Sequence, residues 1–99
     1  MIFATNEEEI EKVHEFKVLY FYATWMPFHK KMMIMIEKIE AKKPYINFCA
    51  VDVDYFKSSV KRYSVESIPT IILFNKNKQL KTLNGLVLTS AFNSFFNDI

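Results

Sequence analysis

The sequence holds one cysteine, one glycine and three prolines in 99 residues. A single thiol, Cys49, excludes a disulfide within the chain and any zinc site built from several cysteines. One glycine leaves little room for left-handed turns and implies short loops. No apolar run reaches the roughly 20 residues that a membrane-crossing helix needs. Charge of one sign is also scarce. Thirteen basic and 11 acidic side chains leave a net charge of +2, too little to argue for a surface that grips a phosphate backbone. The N-terminal stretch turns acidic at Glu7, Glu8 and Glu9, so no secretory leader is expected. These absences point away from nucleic acid and membrane as partners and toward a cytoplasmic protein.

Apolar residues are plentiful, at 51%, and 16% of the chain is aromatic, with ten Phe and five Tyr. With 24% charged residues, that is enough to bury a core and stay in solution, and it excludes a disordered tail. The composition is uniform, and the length fits one domain spanning residues 1–99.

Hydrophobic periodicity alternates between strand and helix. Ile2-Phe3-Ala4 reads as a short edge strand. Thr5 and Glu8 match the T-x-x-E capping box, which predicts a helix running to about Glu15 that buries Ile10 and Val13, with His14 near its end. Val18 to Tyr22 is a continuous apolar run, expected of a central strand covered on both faces. Pro27 suits a first helical turn. Phe28, Met32, Met35, Ile36 and Ile39 then form one stripe of a long helix that ends before Pro44. Glu37, Lys38, Glu40, Lys42 and Lys43 fall on its solvated side. Ile46 to Val53 is a second buried strand, and a short helix follows from about Tyr55 to Tyr63. Ile71 to Phe74 is a third strand. Asn75 to Lys78 is a turn whose asparagines tolerate positive φ. Gln79 to Leu83 returns antiparallel, and Gly85 marks a special backbone position. Thr89 or Ser90 should cap a last helix with Phe92, Phe95 and Phe96 on its inner face. The order β-α-β-α-β-α-β-β-α implies an α/β three-layer sandwich. Its central sheet should be mixed, with right-handed parallel crossovers. A site is expected at the carboxyl ends of the strands.

Phe21-Tyr22-Ala23-Thr24-Trp25 resembles the strand and tryptophan that lead into the W-C-x-x-C site of the thioredoxin family. Lys30 stands in the place of that family's usual lysine. Val51-Asp52-Val53-Asp54 resembles its third strand and exit, and Tyr63 to Thr70 is similar to its cis-proline segment, with Pro69 as the proline. Gly85 sits where the family keeps a glycine. The likeness runs along essentially the whole chain and implies a thioredoxin-like fold. The implied cysteine positions, however, are Met26 and His29. The family's buried acid falls on Tyr20, its partner lysine on Ala50, and its helix-kinking proline on Ile34. Dithiol exchange needs one thiolate to attack and a second thiol to resolve the mixed disulfide. A thioether and an imidazole do neither.

The candidate residues divide by chemistry. Cys49 lies mid-strand without a neighbouring cation in sequence, as expected of a small buried hydrophobe rather than a nucleophile. Met26 and His29, with Met32 and Met33, are soft-metal donors by type, but no third ligand is evident and helical Met is usually core filler. His29, Lys30 and Lys31 make a small basic cluster at a helix start. Trp25, Met26, Pro27, Phe28 and His29, with Ile68, Pro69 and Gly85, are the expected binding set. The resemblance implies a groove beside Pro69 in which an extended chain pairs with the backbone. The expectation is therefore a redox-inactive module for a protein or peptide partner, monomeric or weakly dimeric, with no cofactor and no metal. The alternatives are a diverged thiol-disulfide oxidoreductase using Cys49 or a partner's thiol, and a weak soft-metal binder.

Overall fold

The computed structural model describes residues 1–99. It has nine elements: β1 (Ile2–Phe3), α1 (Glu7–Glu11), β2 (Phe16–Tyr22), α2 (His29–Lys42), β3 (Asn47–Asp52), α3 (Lys57–Arg62), β4 (Thr70–Asn75), β5 (Lys78–Asn84) and α4 (Thr89–Ser94). The five strands form one mixed sheet in the order β1-β3-β2-β4-β5. β1, β3 and β2 are parallel, and β4 runs antiparallel to both β2 and β5.

Strand periodicity divides the buried residues between two faces. Val18, Tyr20 and Tyr22 of β2, Phe48 and Ala50 of β3, and Ile71 and Leu73 of β4 join a 17-residue core with α2 and α4. Leu19, Phe21, Cys49, Val51, Ile72 and Phe74 face the other way, into an eight-residue core with Ile10 and Phe56. Both faces are covered, which is why these strands read as unbroken apolar runs. Met32, Met35, Ile36 and Ile39 are buried along α2, and Phe92, Phe95 and Phe96 along α4 and its C-terminal end.

Several local expectations are corrected. The first helix is capped by Asn6, whose Oδ1 accepts from the Glu9 N–H at 3.0 Å, not by Thr5. Thr5 instead donates its N–H and hydroxyl to Glu9 Oε1, both at 2.7 Å, which holds that carboxyl below its usual pKa. The helix ends at Glu11 rather than near Glu15, so Val13 is exposed and His14 lies past its end. What stops it is Lys17, whose buried ammonium donates to the carbonyls of Ile10 and Lys12 at 2.9 and 3.0 Å. Pro27 precedes α2, and Phe28 is its N-cap, exposed rather than part of the buried stripe. Leu88, not Thr89 or Ser90, occupies the N-cap of α4 and makes no side-chain bond. In the β4–β5 turn the left-handed residue is Lys76, φ 55°, rather than an asparagine. A register shift after Leu73 pairs Phe74 with Gln79 and leaves Leu80 bulged and 40% exposed. Gly85 does adopt positive φ, 78°.

Candidate functional site

The residues that follow β2 turn sharply. Met26 N–H donates to the Ala23 carbonyl at 3.0 Å, and His29 N–H donates to the Met26 carbonyl at 3.2 Å. This folds the Met26 side chain inward, 6% exposed, onto the α2-side core. It leaves Trp25 67% and Phe28 45% exposed, with Pro27 exposed between them. The Trp25 indole N–H donates to Asp54 Oδ2 at 2.9 Å, and Asp54 is itself oriented by its N–H bond to Asp52 Oδ1 at 2.9 Å. An exposed tryptophan is thus held in place by the segment leaving β3.

Beneath the loop lies an aromatic cluster. His29 stacks on Tyr22 with centroids 4.6 Å apart and planes 8° apart, and Tyr22 stacks on Tyr20 at 5.3 Å. The Tyr20 hydroxyl is 3.0 Å from His29 Nδ1. Burial holds the Tyr20 phenol well above its usual pKa, with the neighbouring Tyr22 adding to the shift. The hydroxyl therefore keeps its proton, and its hydrogen bond with Nδ1 fixes the orientation of the imidazole ring. Tyr22 is also raised, by burial first and by the Asp52 carboxylate second. Tyr20 is in register with Ala50 on β3, so the largest side chain of this layer sits beside the smallest. Phe3 closes the cluster edge-on to Tyr22 at 6.1 Å.

Cys49 is elsewhere. It belongs to the core on the opposite face of the sheet, 4% exposed, beside Leu19. Burial first, the Glu9 carboxylate second and Lys17 in opposition together push its thiol up to about 11. Lys17, on the same side, is pulled below the usual lysine value by burial, and its ammonium lies 5.0 Å from the Phe74 ring centroid. A cleft of about 280 Å³ opens beside these groups, lined by Ile2, Glu9, His14 and Asn47 among others.

The Ile68–Pro69 peptide bond is cis. Because Thr70 pairs with Phe21, this bond sits at the same end of the sheet as the Trp25 loop. The Pro69 carbonyl accepts from the Gly85 N–H at 2.7 Å, which brings Gly85 to that end as well. A shallow cleft of about 190 Å³ lies here, lined by Val53, Val60, Val65, Glu66, Ser67 and Ile68. Trp25, Pro27 and Phe28 do not line it. Trp25 reaches its rim through Asp54, the neighbour of Val53. Of the expected binding set, Trp25, Pro27 and Phe28 are exposed, His29, Ile68 and Gly85 half-buried, and Met26 and Pro69 buried. No group of three or more His, Cys, Asp or Glu side chains converges, and His29 Nδ1 is already engaged by Tyr20. Sequence reasoning missed Asp54 as the indole's partner and Tyr20 as the imidazole's. The signal for the first was an acid just past a strand parallel to the one that carries Trp25. The second carried none, since the contact joins a strand and the first residue of a helix.

Residues 3–98 match the profile of the Thioredoxin family. The chain belongs to the thioredoxin family. A thioredoxin of Chlamydia trachomatis is 35% identical over 66 residues, covering 67% of this chain and 65% of that relative's length. Thioredoxin-1 of Saccharomyces cerevisiae is 34% identical over 68 residues, 69% of this chain and 66% of that relative's length. Among solved structures, oxidised mitochondrial thioredoxin 3 of Saccharomyces cerevisiae superposes with a TM-score of 0.87 at 25% identity, covering 100% of this chain and 95% of that one. Oxidised thioredoxin of Plasmodium falciparum gives 0.90 at 21% identity over 99% of this chain and 96% of that one, a likeness of fold. Against the thioredoxin pattern the active-site cysteine pair is not intact, since Cys49 is the chain's one cysteine.

Proposed function

We propose that this chain is a redox-inactive thioredoxin-type module that holds an extended segment of a protein partner beside the Trp25 loop and the Ile68–Pro69 cleft. One observation carries the first half of the reading. The chain's one thiol is buried on the sheet face away from the loop, with its ionisation pushed up to about 11. At neutral pH that leaves about one thiolate in 10⁴. Met26 and His29 have no sulfhydryl with which to form or resolve a mixed disulfide.

The second half is supported by what is free. Trp25, Pro27 and Phe28 expose apolar surface at one end of the sheet. The Ile68 N–H and carbonyl take part in no hydrogen bond of the chain. An extended peptide can pair with them by strand addition, its side chains meeting Val53, Val60 and Val65. The proposal includes neither cofactor nor metal and places the module in the cytoplasm.

A second reading follows from the relatives, which are themselves thioredoxins. It makes the chain a thiol-disulfide oxidoreductase that works through Cys49 with a partner's thiol. Insulin reduction under dithiothreitol separates the two. The binding reading expects the uncatalysed rate, and turnover that disappears in Cys49→Ala would overturn it in favour of the second. The groove itself is tested by NMR titration with a pool of extended peptides. Shifts confined to Trp25–His29 and Val65–Thr70 are expected, and their absence would remove the groove.

A further inference from the structure

One cleft has no part in the reading above. It lies between α2 and α4, holds about 380 Å³, and is lined by Lys31, Ile34, Met35, Lys38, Lys42, Thr89 and Asn93. Three of those seven residues are lysines, and none is an acid. The rotation of an α-helix places Lys31, Lys38 and Lys42 within about 40° of one another on α2, and Glu37 roughly 120° away. The α4 wall brings a hydroxyl and an amide but no carboxylate. None of the three ammonium groups makes an ion pair or a hydrogen bond within the chain. Lys38 and Lys42 stand four residues apart, where like charges repel along a helix. Lys42, in the last turn of α2, complements the helix dipole, whereas Lys31 and Lys38 have no partner within the chain.

We propose that the α2–α4 cleft is a docking site for an acidic peptide segment of a partner protein. The spacing suits one. Lys31 to Lys42 spans about 16 Å of helix axis, the length of about five residues of extended chain, whose alternate side chains on one face recur every ~7 Å. Glutamate or aspartate at alternate positions of such a segment meets Lys38 and Lys42, about 6 Å apart along the axis, and the long Lys31 side chain, about 10 Å further back, takes up the uneven step. Between the charges, Ile34 is 55% exposed and offers aliphatic surface to an apolar residue of the segment. Nucleic acid fits less well. The cleft holds no aromatic ring on which a base could stack, and no arginine fork for a phosphate. This site is separate from the groove beside Pro69, and neither needs the other.

The test uses the full chain and a fluorescein-labelled peptide of six glutamates around one central leucine, read by fluorescence anisotropy at low salt. Binding is expected, and its affinity should fall steeply as salt rises. The triple variant Lys31→Gln/Lys38→Gln/Lys42→Gln should weaken it by about tenfold or more, since close charge pairs across an interface dominate such contacts. A second triple variant, Lys57→Gln/Lys61→Gln/Lys78→Gln, loses the same net charge away from the cleft. It should stay within about twofold of the parent. Ile34→Ser should weaken the peptide with leucine and leave an all-glutamate peptide unchanged. Equal loss in the two triple variants would overturn the proposal, because it would show a response to net charge alone. Undiminished binding by the cleft variant would overturn it as well. So would tighter binding of inorganic tripolyphosphate or of a short single-stranded RNA than of the peptide. Circular dichroism of each variant separates loss of binding from loss of fold.

Discussion

The two faces of the sheet carry different chemistry. The face under α2 and α4 packs Tyr20, Tyr22 and Met26 beneath the loop, and Tyr20 bonds His29. The face under α1 and α3 packs Cys49 and the Lys17 ammonium. A thioredoxin-type reaction would need its sulfur on the first face, at the end of β2. Here that face has ring stacking and one hydroxyl–imidazole hydrogen bond, and the thiol lies behind the sheet. The difference teaches where the one thiol stands: a buried layer of strands separates Cys49 from the Trp25 loop. It also shows how the loop keeps its shape without a disulfide: the imidazole is fixed by stacking below and a hydrogen bond at Nδ1, and the indole by Asp54.

The largest expected effect compares the two cores. Phe96 is fully buried and touches Phe48, Phe92 and Phe95 at centroid distances of 5.9, 5.3 and 5.1 Å. Phe96→Ala should cost about 3–5 kcal/mol in urea unfolding. Phe56→Ala, in the smaller core, should fall at or below the lower end of that range. Equal losses would mean that the smaller core is as tightly packed as the larger. Next is chemistry on the loop face. Met26→Cys/His29→Cys should allow a disulfide to form, yet reduce insulin about 10²-fold more slowly than a thioredoxin with its acid and lysine in place. Tyr20 and Ala50 cannot move protons as that pair does. Full thioredoxin-level turnover would show that the aromatic cluster is no obstacle.

The smallest effect concerns the other face and pH. The Cys49 thiol rises from about 9 to about 11 on folding. Between those values the folded chain holds a proton that the unfolded chain has lost, so stability falls as pH rises through the window. Two pH units correspond to on the order of 2 kcal/mol. The buried Tyr20 and Tyr22 and the half-buried Tyr63, all raised, add losses of the same sign from about pH 10 upward. Cys49→Ala should flatten the part of the denaturation profile between pH 9 and 10 and leave the tyrosine part. An unchanged slope there would mean that the thiol ionises as freely in the fold as out of it.

Much of the fold was legible in particular residues. Val18 to Tyr22 and Ile71 to Phe74 announced strands covered on both sides, because only such strands are apolar at every position. The α2 stripe from Met32 to Ile39 was readable because helical period and burial coincide there. Helix ends were less legible. Asn6 and Thr5 are both good caps by residue type, and it is the extended Asn6, φ −154°, whose side chain reaches the Glu9 N–H. Lys17, on the central strand, holds the end of α1 through a contact on the sheet face, and a local pattern holds no record of it. At the site, the exposure of Trp25 followed from its place after a strand, whereas that of Phe28, which helical period puts on the buried stripe, did not. The inward turn of Met26 and the lining of the cleft by Val53, Val60 and Val65 did not, because those side chains meet from separate elements.

Composition and period, acting locally, determined the order of elements, the two buried faces and the want of a second thiol. These depend on side-chain type and on spacing along the chain. Tertiary structure alone decided that Tyr20 meets His29, that Asp54 holds Trp25, that Cys49 lies behind the sheet and that three lysines share a cleft with α4. Each of these joins groups on different elements, and their distance is set by strand register and helix packing, which no short stretch of sequence encodes.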